Sequence, residues 1–306
     1  MNKVEDFKIA ESIDSVGILE QMSVIGGFQG NKVAEAVQVL ERMIKDEAAL
    51  NFLAFPACLV ATGIRGVFAE MIRRGWFDII VTTCGTLDHD LARSYGDYYE
   101  GSFNLSDEDV KRRGFSRLGN VLVPDKVYAE LVEKHLQEFL TEIYQEGTEW
   151  ATYELVWELG KRLKREDSLI YLATKNKIPV IVPGITDGMV GYQLWLFSQD
   201  KDFRINIFKD EQLLNDRVWE AERAGAFIIG GGISKHHTIW WNQFRGGLDY
   251  AVYLSTATEL DGSLSGAAPR EAVSWGKIKA QAEKVHVWLE ATAILPLMVS
   301  ALAKRI

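Results

Sequence analysis

Short, continuous apolar runs rich in β-branched residues recur along the chain, and helical patterns fall between them. Phe77–Thr83 reads FDIIVTT, Pro179–Pro183 reads PVIVP, and Ala226–Ile229 reads AFII. Leu53–Leu59, Asp249–Leu254 and Val285–Leu289 are of the same kind. A strand that is apolar on both faces suits a parallel sheet covered by helices on both sides. Between the runs, Val33, Val37, Leu40, Met43 and Ile44 form a helical stripe within Asn31–Leu50. A further helix is expected around Ile64–Arg74, stopped by Gly75. Ser106–Asp109 reads as a capping box opening a short helix that ends at Gly114. Tyr128, Leu131, Val132, Leu136, Phe139, Leu140 and Ile143 predict one long amphipathic helix over Asp125–Gly147. The fold class is therefore α/β, a doubly wound and mostly parallel sheet, Rossmann-like but without the G-x-G-x-x-G fingerprint. No break in composition divides the chain, so one domain over 1–306 is expected, with 1–25 as an N-terminal extension.

Composition narrows the function. The 306 residues are 47% hydrophobic and carry 34 Lys+Arg against 43 Asp+Glu, a formal charge of −9. That balance argues against a nucleic-acid binder working by phosphate neutralisation. Two cysteines exclude a disulfide scaffold. The apolar stretches Leu50–Ile64 and Ala291–Ala303 fall short of the ~20 residues of a membrane span, and the first residues lack a signal-peptide core. A cytoplasmic protein with no membrane association is expected. H-E-x-x-H, paired C-x-x-C, Walker A and G-x-S-x-G are all absent, and no metal site is expected.

Ligands of open α/β sheets bind outside the carboxyl ends of the strands. Those ends carry Thr82-Thr83-Cys84-Gly85, Thr186-Asp187-Gly188, Gly230-Gly231-Gly232 and Ser255-Thr256-Ala257. The triple glycine reads either as a phosphate seat or as a tight βα turn. In Lys235-His236-His237 the two imidazoles point about 100° apart on a helix, so only one can face a small site. Trp240-Trp241 reads as core packing or as an aromatic wall for a cation. Glu259 and Asp261 read as an exposed acidic turn or as amine ligands. In Glu271-Ala272-Val273-Ser274-Trp275-Gly276-Lys277, a lysine in an apolar setting is a candidate amine nucleophile.

These blocks together resemble deoxyhypusine synthases. The likeness rests on Gly230–His237, Asp249–Tyr253, Glu259–Ser263 and Glu271–Lys277, with Gly63–Arg65, Asp78–Thr83, Arg117–Pro124 and Thr186–Gly188 upstream. It implies a homotetrameric NAD-dependent transferase that moves the aminobutyl group of spermidine, or a related polyamine, onto a lysine of the translation factor 5A precursor. Lys277 matches the family's nucleophile, and His236 is the proton acceptor. Thr83, Cys84, Gly85, Asp187, Gly231, Thr256, Ala257, Glu290 and Ala291 fall on cofactor positions. His236, Gly262, Ser263, Glu271 and Trp275 fall on amine positions, with Trp240 beside them. The implied chemistry calls for an unprotonated Lys277, buried beside Trp275.

Several positions depart from the eukaryotic pattern. His89, Tyr192 and Leu264 stand where that form has carboxylates, Trp240 where it has Asn, and Cys58 and Ala61 where it has polar cofactor contacts; Glu290 replaces an Asp. Asp88, Asp90, Glu259 and Asp261 are left as other carboxylates for an amine. Thr86–Asp90 and Thr238–Asn242 look like an archaeal branch of the family. Alternatives of other kinds are a homospermidine synthase-like transferase with a small-amine acceptor, and a catalytically silent NAD- or polyamine-binding relative.

Overall fold

The computed structural model describes residues 3–306. The elements that carry the site are α1 (Ser15–Val24), α2 (Gly30–Lys45), β1 (Ala49–Ala54), β2 (Ile79–Val81), α3 (Cys84–Tyr95), α4 (Met189–Asp200), β3 (Arg223–Ile229), α5 (Gly232–Gln243), β4 (Leu248–Leu254), α6 (Pro269–Ser274), β5 (Ile278–Val287) and α7 (Ala291–Arg305). The chain forms two compact units. Among the described residues, one comprises 3–55, 76–81 and 214–306; the other comprises 56–75 and 82–213.

The first unit is built on a sheet whose strands β5-β4-β3-β1-β2 pair in that order, all parallel. Phe52, Leu53, Ala54, Phe227, Ile228, Ile229, Val252 and Leu254 are fully buried. Burial of each large side chain among them contributes roughly 1.5–3 kcal/mol. Helices cover both faces, as register and alternation show. Gly225 faces α2, because a Cβ there would meet Met43 Cγ at 2.4 Å. Tyr250 pairs with Gly225 and points the same way. Tyr253, three residues on, points to the other face. There the Lys235 Nζ of α5 lies 4.3 Å from its ring centre.

The second unit holds α3, α4 and a helix at Val132–Glu146. It also holds a three-stranded antiparallel sheet, Tyr99–Glu100, Val121–Pro124 and Phe115–Leu118 in spatial order. Among the described residues no helix is long and apolar enough to cross a membrane.

Several boundaries differ from the periodicity. The 31–50 stripe leaves the helix at Lys45, where Asp46 binds the Arg223 guanidinium and the Tyr250 hydroxyl. The strand starts at Ala49 instead of Leu53. β5 begins at Ile278, seven residues before the apolar run, because its first half alternates charged and small residues at a register shift against β4. The 125–147 helix opens with a π-helical stretch, Lys126–Leu131, before regular α-helix. The 115–124 hairpin is not among the runs read as strands above, although Val121–Pro124 reads VLVP. Gly119 at φ +60° followed by Asn120 is the turn signal that marks it. The short helix after Ser106 is as expected, the Ser106 hydroxyl accepting from the Asp109 N–H at 3.3 Å.

Candidate active site

In the first unit, β3, β4 and β5 end level with one another. Ile229 and Val287 both pair with Leu254. The segments that follow emerge side by side, which gathers Gly230–Gly232, Thr256-Ala257 and Glu290-Ala291 at one edge of the sheet. Gly230, at φ +74°, donates its N–H to Leu254 O at 2.7 Å. Gly231 has no room for a side chain, since a Cβ there would lie 2.1 Å from Ser265 Oγ. The same hydroxyl accepts from the Gly232 N–H at 3.2 Å. The triple glycine is thus the turn into α5 and the seat of the 262–268 segment. Ala257 donates its N–H to Ser255 Oγ, and the Thr256 side chain is exposed. Glu290 caps α7, accepting from the Ala293 N–H at 2.9 Å and the Thr292 hydroxyl at 2.5 Å. Partial burial works against its charge, but these bonds hold its carboxyl below the usual range.

The Glu271–Lys277 block closes α6 in a Schellman turn. Gly276, at φ +67°, donates to Val273 O, and Lys277 donates to Ala272 O, each at 3.0 Å. Glycine is needed at this left-handed position, and the turn delivers Lys277 to the amino end of β5 with its side chain turned inward. Lys277 is 9% exposed, and its Nζ lies 5.3 Å from the Trp275 ring centre. A cavity of about 30 Å³ is lined by Lys277, Lys235, Glu271, Tyr253, Leu264 and Trp275, among others. Glu271 is exposed at its rim. Lys277 is buried beside Trp275, but Trp275 does not enclose it. Trp275 is itself 66% exposed, because the Schellman turn throws it outward while Lys277 turns in.

Behind this cavity lies a polar group that no sequence motif marks. Lys235 is buried, and burial pulls its amine down to about 8, with Glu271 opposing. Tyr253 OH and both ring nitrogens of His286 are buried without a hydrogen-bond partner. Burial and the nearby Lys235 push His286 down to about 4. The K-H-H motif singles out its histidines, and nothing local distinguishes its lysine, because burial is invisible in a single sequence.

On α5, His236 and Trp240 stack with ring centres 6.0 Å apart, and Trp240 meets Phe244 edge-on at 5.3 Å. His236 and Trp240 are exposed, and His237 turns aside and is half-buried. Burial, then the charge of Lys277, lowers the pKa of His236, which favours its neutral, proton-accepting form. Gly262, at φ +70°, and Ser263 lie in an exposed turn where Asp261 accepts from the Ser263 N–H at 2.7 Å. Glu259 is ion-paired with Arg270.

The second unit gathers Thr83, Cys84, Gly85 and Asp187 around the first turns of α3 and α4. Thr83 Oγ1 accepts from the Ala57 N–H at 3.2 Å. Cys84 is buried, and burial together with Asp88 pushes its thiol pKa up, away from reactivity. A Cβ on Gly85 would touch Ala57 Cβ at 2.9 Å. Asp187 is exposed on the turn before α4. Two carboxylates expected to be open to an amine are internal. Asp88 accepts from the Met189 and Val190 N–H groups at 2.9 and 2.8 Å and from the Tyr128 hydroxyl at 2.9 Å. Asp90 accepts from Arg65, Ser168 and the Ile170 N–H. Their oxygens satisfy helix ends that would otherwise lack partners. His89 shares a hydrogen bond with Tyr98 at 2.9 Å, and burial lowers it to about 4, so it is neutral at pH 7. Tyr192 is 52% exposed against Trp195.

A family model described as deoxyhypusine synthase matches residues 17–302. A probable deoxyhypusine synthase of Picrophilus torridus is 49% identical, covering 98% of this chain and 97% of that protein. One of Sulfurisphaera tokodaii is 46% identical over 99% and 97%. A crystal structure of a candidate deoxyhypusine synthase from Entamoeba histolytica shares the fold. Its TM-score is 0.67 at 22% identity, covering 98% of this chain and 95% of that one.

Proposed function

The chain belongs to the deoxyhypusine synthase family, and from that premise we propose that it transfers the aminobutyl group of spermidine to a lysine of the translation factor 5A precursor, in the cytoplasm, as a homotetramer using NAD. The observation that carries this reading is Lys277, a buried amine delivered into a small cavity beside Glu271 and Trp275.

The donor set suits a dinucleotide. Three neighbouring strand ends bring a helix N-terminus, the exposed Thr256 and the carboxylate of Glu290 to one edge, and a Cβ on Gly232 would meet no atom within 4 Å. Gly231, Thr256, Ala257, Glu290 and Ala291 would hold NAD there; Thr83, Cys84, Gly85 and Asp187, in the second unit, keep the cofactor role that the family resemblance gives them. The chemistry it would supply is removal and return of hydride at the donor carbon bearing the secondary amine.

The residues do the rest. Glu271, Gly262, Ser263 and the His236–Trp240 wall hold and orient the cationic donor. Lys277 attacks the oxidised carbon as a free amine, forming a C–N bond to the enzyme. The bond to 1,3-diaminopropane breaks, and that amine leaves with a proton passed through His236. The acceptor lysine then displaces Lys277 by the same exchange of amines.

The test is intact mass after incubation with NAD⁺ and spermidine followed by borohydride. A gain of one aminobutyl unit, mapped to Lys277, is expected. No adduct while NAD⁺ still binds overturns spermidine as the donor. Transfer to a free diamine and not to the factor 5A precursor overturns the protein acceptor.

A further inference from the structure

We propose that Lys235 is a positioning residue for the amine side of this site. Its buried Nζ clamps the 262–268 segment onto α5 and so sets where Gly262, Ser263 and Glu271 meet the substrate. The proposal rests on the function proposed above.

Lys235 is 1% exposed, and no carboxylate pairs with it among the described residues. Its Nζ donates to Leu264 O and Ala267 O, both at 2.7 Å, while standing 4.3 Å from the Tyr253 ring centre. A buried amine without an anionic partner is costly and has to be offset by good hydrogen bonds. Here those bonds reach across 29 and 32 residues to a segment with no helix or strand of its own. Two N–H groups suffice for the two carbonyls, so the clamp holds in either protonation state.

The clamped segment leads straight into α6. Ala268 is the N-cap of that helix, Glu271 lies in its first turn, and its Schellman end presents Lys277. The seat of Ser265 on Gly231 and Gly232 is the other attachment of the segment to α5. One lysine therefore ties the amine-binding turn, the carboxylate and the α5 wall into one frame. Without it, the Leu264 and Ala267 carbonyls would be left without their donor.

Lys235→Met keeps the stem and removes both bonds. Two readouts are taken: amide hydrogen exchange along the chain, and steady-state kinetics with NAD⁺ affinity measured separately. Loss of the two bonds is expected to speed exchange in 262–274 by about tenfold or more and to raise KM for spermidine by a similar factor. NAD⁺ affinity and exchange in β3 and β4 stay close to wild type, and Lys235→Arg recovers part of the loss. Unchanged exchange in 262–274 overturns the proposal. So does a variant in which KM, NAD⁺ affinity and strand exchange all worsen together, since that marks a merely structural lysine. If Lys235→Met does not fold, Lys235→Gln, whose shorter side chain draws the donor back from the Leu264 and Ala267 carbonyls, is read by the same criteria. If the wild type forms no adduct with spermidine, the proposed function fails, and the exchange measurement, which needs no substrate, decides the clamp alone.

Discussion

The Nζ of Lys277 lies 5.3 Å from the ring centre of Trp275, two residues back along the chain. The lysine is buried and the tryptophan exposed, because the left-handed Gly276 turns the chain between them. A cation over an aromatic face at this distance is favoured. Trp275 is therefore an outer wall of the cavity, and Glu271 is the carboxylate at its mouth.

Lys277→Arg and Lys277→Met are expected to lose the borohydride-trappable adduct, and turnover should fall by about 10³-fold or more. Arginine fails despite its charge because a guanidinium does not lose its proton near neutral pH. Peptide mapping after reduction checks this. An adduct on either variant would move the nucleophile elsewhere.

Trp240→Ala should raise KM for the amine roughly 3- to 30-fold, the range of one cation–π contact. Trp240 is 39% exposed, so the melting temperature should barely move. Trp240→Phe should recover much of the loss. Isothermal titration with NAD⁺ is the control, and an equal fall in cofactor affinity would rule out an amine-specific wall.

Gly231→Ala should destabilise the protein by about 1–3 kcal/mol, because the new methyl overlaps Ser265, including its Cα at 2.5 Å. Gly232→Ala meets no atom and should cost only the left-handed backbone penalty of about 1–2 kcal/mol. Urea denaturation of the two variants separates overlap from backbone strain.

Asp88→Asn should cost about 1–3 kcal/mol, since one carboxylate oxygen becomes an N–H₂ facing donors. Those donors are the Met189 and Val190 N–H groups and the Tyr128 hydroxyl. Hydrogen exchange should quicken first at the start of α4. Fraying that begins elsewhere would show that Asp88 is not its cap.

His286 supplies a pH test. Its pKa falls from an ordinary 6.5 to about 4 on folding, by burial and then by the charge of Lys235, with Glu259 opposing. A depressed folded pKa means that its contribution to stability is full above pH 6.5 and is lost as pH falls toward 4. By linkage the loss is up to about 3 kcal/mol. His286→Phe should lack this slope, which denaturation midpoints across pH 4–7 would show. Parallel curves for variant and wild type would mean that His286 is not the group that titrates.

Legibility in the sequence follows locality. The β-branched runs dictate buried strands, and the helical stripes between them dictate covering helices, so the parallel α/β fold is legible in local pattern alone. Strand bounds drift where period and register part company. The α2 stripe runs on past Lys45, where Asp46 is committed to Arg223 and Tyr250, and nothing local marks the start of β5 at Ile278.

The site divides along the same line. Lys277, His236 and Glu271 stand out because their motifs are local, whereas the turn at Gly276 that presents the lysine is known only from the structure. Tertiary packing alone decided which charges are free. Asp88 and Asp90 look like open carboxylates and are internal caps, and Lys235 looks like a surface lysine and is a buried strut. The physical reason is that periodicity and turn chemistry act between near neighbours, whereas desolvation and hydrogen-bond satisfaction depend on residues brought together from 29 to 102 positions away.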